Sequence, residues 1–120
     1  MQWGEIYMSV KQVVAILQKS RINQVIEALK ETGVPGASIS SIKGYGEYVN
    51  TFSNDGLEDK IKLEVVISEK DVYRVVGIIL DHASTGSEGD GIVSVHSVDE
   101  VYRVRDKKRI TGTAKASENA

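Results

Sequence analysis

The apolar residues of this chain change twice from a strand-like to a helix-like period, which constrains the fold more than any other feature. Residues 10–18 form a nearly continuous apolar, β-branched run, typical of a strand buried on both faces. From Ile22 the apolar residues recur at helical spacing. Gly33 follows the last turn, where a glycine commonly ends a helix. Residues 37–42 then predict a second strand.

The same order of elements recurs in the second half of the chain. Residues 60–67 alternate between apolar and more polar side chains, which predicts a strand with one face toward the core. Residues 71–82 carry apolar side chains at helical spacing, and residues 92–95 and 100–105 predict two closing strands. The order strand–helix–strand, repeated once, predicts an α+β sandwich of the ferredoxin-like βαββαβ type, with both helices on one face of the sheet.

Two helices cover only one face of such a sheet, so the first strand would leave apolar surface exposed in a single chain. Apolar surface of this size is normally covered by another subunit. We therefore expect the chain to self-associate.

Length and composition set the domain organisation. The chain has 120 residues, which indicates one domain, and the periodic pattern places it at residues 10–106. Residues 1–9 are a short N-terminal lead-in. Residues 107–120 are small, polar and charged, and we expect a flexible C-terminal tail there.

Composition also excludes several classes of function. The chain has no cysteine, which excludes disulfides and thiolate metal sites, and its two histidines cannot form a histidine-rich metal cluster. Fifteen basic residues against seventeen acidic ones give no positive field that would attract nucleic acid or anionic lipid. The apolar runs are too short to cross a bilayer and no secretion signal is present, so we expect a cytoplasmic protein.

The segment at residues 85–91, TGSEGDG, is the strongest local motif. Three glycines in six residues allow successive N–H groups to point into one concavity, which can hold an anion. A strand follows, whereas a Walker loop or a dinucleotide fingerprint must open a helix. A plain helix-to-strand turn is the alternative interpretation.

Two further features could contact a ligand. Arg103 and Arg105 stand two residues apart in a predicted strand, where both would project from one face as a phosphate or carboxylate clamp, or be solvated surface charge. Residues 43–46, KGYG, precede a polar segment at residues 47–59 that is longer than most connections, which suggests a functional loop.

Catalytic constellations are absent from the sequence. His82 and His96 have no nucleophile placed beside them by a motif. The sequence also argues against two protein classes of this architecture. Residues 18–21 lack the glycines of an acylphosphatase phosphate loop, and the first and third strands lack the base-stacking aromatics of an RNA-recognition motif. We expect a protein that is not an enzyme and holds no metal.

Together these motifs resemble the PII signal-transduction family, the nitrogen regulatory P-II proteins, from about Val10 to Arg105. Residues 85–91 and 101–105, VYRVR, are similar to the family signature T-G-x-x-G-D-G-K-I-F-V and its downstream I-R-I-R. Gly33, Gly36, and the segments 43–46 and 62–66 fall at corresponding places.

The resemblance implies a homotrimer that holds an adenine nucleotide, ADP, AMP or ATP, in each cleft between subunits. It implies that residues 47–59 form the T-loop, which docks onto a client enzyme or membrane transporter in nitrogen metabolism. The nucleotide-binding residues that it implies are Gly36, Ser38, Glu64 and Val66 around the base and ribose, Gly89, Asp90, Gly91, Arg103 and Arg105 at the phosphates, and Gly44, Gly46 and Lys60 in the same cleft.

The chain departs from the family at several positions. Ile92 replaces a lysine that reaches the outer phosphates, and Tyr48 replaces a glutamine that helps to bind magnesium and 2-oxoglutarate. The T-loop is short and lacks a uridylylation tyrosine, and residues 106–109 replace Thr-Gly-Glu. We expect ADP or AMP to bind at least as well as ATP, unless Lys60 or Lys62 substitutes for the missing lysine, and we expect no tight magnesium-dependent 2-oxoglutarate binding.

Two alternatives remain from the sequence. The chain could be an orthodox nitrogen regulator that senses ATP, ADP and 2-oxoglutarate, or an interaction scaffold that has lost its ligand. The preference among nucleotides distinguishes the first alternative from our interpretation. For the second, Arg103→Ala should leave both the thermal stability with nucleotide and the binding of a partner unchanged.

Overall fold

The computed structural model describes residues 9–46, 52 and 54–111, and these form two helices and six strands. In chain order the elements are β1 (Val10–Leu17), α1 (Ile22–Glu31), β2 (Ser38–Gly44), β3 (Glu58–Ser68), α2 (Val72–Ala83), β4 (Gly91–Val98), β5 (Val101–Arg103) and β6 (Lys108–Thr111).

Four of the strands form one antiparallel sheet in the order β2-β3-β1-β4. β1 lies at its centre, where Val13 pairs with Val65 of β3 on one side and with Val95 of β4 on the other. This order, with a helix after β1 and another after β3, confirms the ferredoxin-like α+β fold.

The core lies between the sheet and the two helices. The predicted inner face of β3 is confirmed, because its four alternate residues Ile61, Leu63, Val65 and Ile67 are all at least 93% buried. The buried residues that pack around them from the helices and β1 are Val25, Leu29, Val72, Val75, Ile79, Ala83, Val13, Ala15 and Leu17.

Helix α1 ends as the sequence predicts. Gly33 adopts a φ of +88°, and its N–H donates to the Lys30 carbonyl at 3.0 Å. The N–H of Val34 donates to the Leu29 carbonyl at 3.1 Å, so the last carbonyls of the helix are satisfied before the chain turns toward β2.

The other face of the sheet is apolar but only half-buried in one chain. Cross-strand register places Val14 and Ile16 of β1 on this open face, with Ile92 of β4 opposite Ile16. Val14, Ile16 and Val66 are half-buried, and Ile92 is 66% exposed. The doubly apolar character of β1 therefore corresponds to one helix-covered face and one face that its own helices leave open.

The C-terminal part of the domain differs from the prediction. The strand predicted at residues 100–105 ends at Arg103, residues 104–107 form a turn, and Lys108–Thr111 return as β6 to pair with β5 in a separate two-stranded sheet. The expectation of a flexible tail from residue 107 is wrong for this strand, since Ile110 is 2% exposed. Residues 112–120 lie outside the described residues.

Two other boundaries shift by a few residues. β3 begins at Glu58, so the last two residues of the loop predicted at residues 47–59 belong to the sheet. β4 extends to Val98, three residues beyond the predicted end, because it pairs with β1 along its whole length. The lead-in at residues 1–8, and residues 47–51 and 53 of the loop, lie outside the described part of the chain.

Within the described residues, neither helix has the length and apolar character that a bilayer crossing requires.

Candidate functional site

An open cleft of about 340 Å³ lies at one end of the main sheet, where β1 and β2 finish and β3 and β4 begin. It brings together five residues that the sequence assigns to nucleotide binding: Gly44, Gly46, Lys60, Gly89 and Gly91. The other described residues that line it are Ile16, Ile42, Tyr45, Glu58, Glu88 and Ile92.

Gly91 places the glycine-rich loop directly against β1. It pairs with Leu17 and has a φ of +104°. A Cβ at this position would lie 1.7 Å from the Ile16 carbonyl oxygen, so only glycine fits. The close approach brings the loop at residues 85–91 over the end of the strand and forms one wall of the cleft.

The Asp90 carboxylate stabilises this loop by accepting hydrogen bonds from other residues of the loop. Its carboxylate accepts hydrogen bonds from the backbone N–H groups of Thr85, at 2.8 Å, and Gly86, at 2.9 Å. It also accepts from the hydroxyls of Thr85 and Ser87 and from the Gln18 side chain. The hydroxyl and backbone N–H of Thr85 contribute most to lowering the pKa of Asp90 from 3.8 to about 2. Asp90 is therefore ionised at neutral pH, and its carboxylate is directed at the loop's own donors.

Lys60 connects β3 to the glycine-rich loop. Its Nζ donates to the Gly89 carbonyl at 2.9 Å and lies 3.2 Å from a carboxylate oxygen of Glu58. The Lys60 side chain is 13% exposed, so the ammonium group lies inside the cleft with two acceptors beside it.

The base and ribose residues implied by the resemblance lie outside the cleft lining. Ser38 pairs with Glu64 across β2 and β3. One Glu64 oxygen accepts from the Gln12 amide at 2.9 Å, and the other lies 3.8 Å from the Lys62 ammonium. Val66 is half-buried on the open face and Gly36 is exposed before β2. One chain therefore places these four residues along the sheet away from the glycine-rich end, since the Ser38–Glu64 pair lies six residue pairs from the Gly44–Glu58 pair.

The two predicted arginines do not form the expected strand clamp. Arg103 is the last residue of β5, and Arg105 lies in the following turn, so the same-face geometry of a strand does not apply. The Arg103 guanidinium pairs with Asp106 at 2.6 Å, and this hydrogen bond is the main reason that the pKa of Asp106 falls to about 2. Arg105 is exposed, and neither arginine lines the cleft of its own chain.

The sequence alone does not identify two acidic residues that pair with predicted site residues. The predicted loop at residues 47–59 includes Glu58, but β3 begins at this residue, so Glu58 and Lys60 lie on the same face of the strand. Asp106 is the last residue of the predicted domain. It lies three residues after Arg103, and this spacing indicates an ion pair only when the turn between β5 and β6 is known.

The residues that the structure describes contain no group of three or more His, Cys, Asp or Glu able to hold a metal ion. Tyr48, on which the expectation about magnesium and 2-oxoglutarate depends, lies outside those residues.

Comparisons with known proteins agree with this architecture. A family model described as "Nitrogen regulatory protein P-II" matches residues 10–108. "Nitrogen regulatory protein P-II 2" of Methanothermobacter thermautotrophicus is 35% identical over 102 residues, covering 79% of this chain and 89% of that protein. "Nitrogen regulatory protein P-II" of Rhizobium meliloti is 34% identical over 107 residues, covering 79% and 91%.

A plant relative and a solved structure also match. The P-II homolog of Arabidopsis thaliana is 35% identical over 81% of this chain, which spans only 54% of that longer protein. The crystal structure of Arabidopsis thaliana PII bound to citrate superposes with a TM-score of 0.74 and 36% identity, covering 84% of this chain and 88% of the solved one.

Proposed function

This chain belongs to the nitrogen regulatory protein P-II family, whose members are regulatory signalling proteins, and we propose that it binds an adenine nucleotide at the cleft and reports it to a partner. The proposal makes it a sensor and not an enzyme. The signal would pass to a client enzyme or transporter through the T-loop, whose flanking residues Gly46 and Glu58 line the cleft.

The observation that carries this proposal is the convergence of Gly44, Gly46, Lys60, Gly89 and Gly91 on one cleft. A volume of about 340 Å³ lies at the lower end of the range for small-molecule sites, which suits part of a nucleotide. Glycines on two walls let a ligand approach the backbone closely, and the Lys60 ammonium group, paired with Glu58, lies between them.

The site is completed, in this proposal, by a second copy of the chain in a homotrimer. The open face of the main sheet carries half-buried Val14, Ile16 and Val66 and exposed Ile92, and contact between copies would cover this apolar surface. Since Arg103 and Arg105 do not line the cleft of their own chain, we assign them to the phosphates bound by a neighbouring chain. Analytical ultracentrifugation should give the mass of three chains, and a mass of one chain would contradict the assembly.

Gly36, Ser38, Glu64 and Val66 would surround the base and ribose. In this assignment the Glu64 carboxylate, which already accepts from Gln12, would offer a further lone pair to a ribose hydroxyl. We assign Asp90 the role of shaping the glycine-rich loop through its hydrogen bonds to Thr85 and Gly86. It would not contact a phosphate directly, because its negative charge would repel one.

The cleft favours nucleotides with fewer phosphates. Ile92 lines the cleft at 66% exposure, where a lysine would supply a charge-assisted contact to the outer phosphates. Loss of such a contact costs about 1.5–3 kcal/mol, roughly one to two orders of magnitude in affinity. Lys60 is a poor substitute while it binds Glu58 and the Gly89 carbonyl.

Isothermal titration calorimetry with AMP, ADP and ATP tests this function, each with and without magnesium and 2-oxoglutarate. We expect ADP or AMP to bind at least as tightly as ATP and 2-oxoglutarate to have no effect. A strong preference for ATP that 2-oxoglutarate increases would favour the orthodox nitrogen regulator, and no nucleotide binding would favour the scaffold.

A further inference from the structure

Glu58 occupies a position in the cleft that neither the resemblance nor the proposed function explains. It is the first residue of β3 and lines the same cleft as Lys60. Residues two apart in a strand share a face, and a Glu58 oxygen lies 3.2 Å from the Lys60 ammonium. The Glu58 side chain is 24% exposed, so this ion pair is partly shielded from water and salt.

The charges of the cleft lining add to a negative total. Among the described lining residues the charged ones are Glu58, Lys60 and Glu88, two acids against one base. A ligand that brings several negative charges therefore meets a lysine that is already neutralised and a second carboxylate nearby. Each added phosphate increases this repulsion.

We propose that Glu58 is a specificity-determining residue, which restrains Lys60 and thereby sets the cleft's preference for nucleotides with fewer phosphates. The inference rests on the proposed function and names the group that selects among its ligands. With Glu58 uncharged, the flexible lysine stem could turn its ammonium from the Gly89 carbonyl to an outer phosphate. Without that release, Lys60 stays bound to the protein and adds no cation to the two arginines that we assign to the phosphates.

The test compares ADP and ATP affinities of the full-length protein and Glu58→Gln by calorimetry. We expect ATP affinity to rise about tenfold and ADP affinity to rise less, so that the ratio of the two dissociation constants changes. A purely structural ion pair would change the urea midpoint without changing this ratio.

Two control variants separate release of Lys60 from a general change in charge. Glu88→Gln removes the same charge from the cleft lining, and no contact between Glu88 and Lys60 is seen among the described residues. We expect it to change the ATP-to-ADP ratio clearly less than Glu58→Gln. In the Lys60→Met background, Glu58→Gln should lose most of its effect on ATP.

The results of these titrations distinguish failure of this inference from failure of the proposed function. If the unaltered protein binds nucleotide, two results would overturn the inference and leave the proposed function standing. One is an equal change of the ATP-to-ADP ratio in Glu58→Gln and Glu88→Gln, and the other is no change of this ratio in Glu58→Gln. A gain of the same size without Lys60 would also overturn it. If no form of the protein binds AMP, ADP or ATP, both the inference and the proposed function fail.

Discussion

The Arg103 guanidinium lies 2.6 Å from the Asp106 carboxylate, across the turn that joins β5 to β6. Two of its nitrogens donate to the same Asp106 oxygen, while the other oxygen accepts from the Lys108 N–H. An arginine that we assign to a phosphate is thus held by an acid of its own chain.

Asp106→Asn should therefore increase nucleotide affinity by about three- to tenfold, because a neutral amide competes less strongly for Arg103 than a carboxylate does. Glu100→Gln is the matched control, since it removes one charge from the same hairpin but contacts Arg109 and Tyr102. Calorimetric titration with ADP measures both variants. An affinity that falls in Asp106→Asn, or rises equally in the control, would show that this pair does not compete with the phosphate.

The stability of the protein should decrease as the pH falls from about 4 to about 2. The folded state lowers the pKa values of Asp90 and Asp106 from 3.8 to about 2, so both stabilise the fold above pH 4 and lose that contribution as they become protonated. Thermal melting at fixed protein concentration measures the effect. Asp90→Asn should reduce this pH dependence more than the control Asp81→Asn, which removes the same charge at an exposed position of α2.

Gly91→Ala should destabilise the protein by about 2–4 kcal/mol, because its Cβ would overlap the Ile16 carbonyl and its φ is left-handed. Gly44→Ala is the control in the same cleft, where a Cβ meets nothing within 4 Å. Urea unfolding of the two variants without ligand measures the difference. Similar free energies of unfolding in both would contradict the close approach of the loop to β1.

Ile92→Lys should increase ATP affinity by roughly ten- to a hundredfold, and ADP affinity less, since the new ammonium group would add a charge-assisted contact at the outer phosphates. Ile92→Met has a similar volume and no charge, so it should leave the preference among nucleotides unchanged. Competition of each nucleotide against a fluorescent ADP analogue gives the ratios. An unchanged ratio in Ile92→Lys would place the phosphates away from this side chain.

The fold was predictable where the apolar period is regular. β3 shows this best, since Ile61, Leu63, Val65 and Ile67 are alternate residues of the strand and all four face the core. Gly33 marked the end of α1 because a left-handed residue there favours glycine. β6 was not predictable in the same way, because Ile110 stands as one apolar residue in a charged segment and its burial depends on the β5–β6 hairpin.

In the candidate site, the glycines that line the cleft were predictable from the sequence, whereas the ion-pair partners of its charged residues were not. The glycines at positions 44, 46, 89 and 91 belong to short sequence motifs, and such motifs reflect the local conformation of the backbone. All four line the cleft. The partners of the charged residues were missed, since Glu58 beside Lys60 and Asp106 beside Arg103 become neighbours only through the start of β3 and the turn after β5.

The most direct measurement of the central claim is an amide NMR titration of the assigned protein with ADP. If the cleft holds the phosphates, the largest shifts will be those of Gly44, Gly46, Gly89 and Gly91, with smaller shifts on the outer faces of α1 and α2. Shifts confined to the helices, or none at saturating ADP, would contradict the claim that the glycine-rich end of the sheet binds the nucleotide.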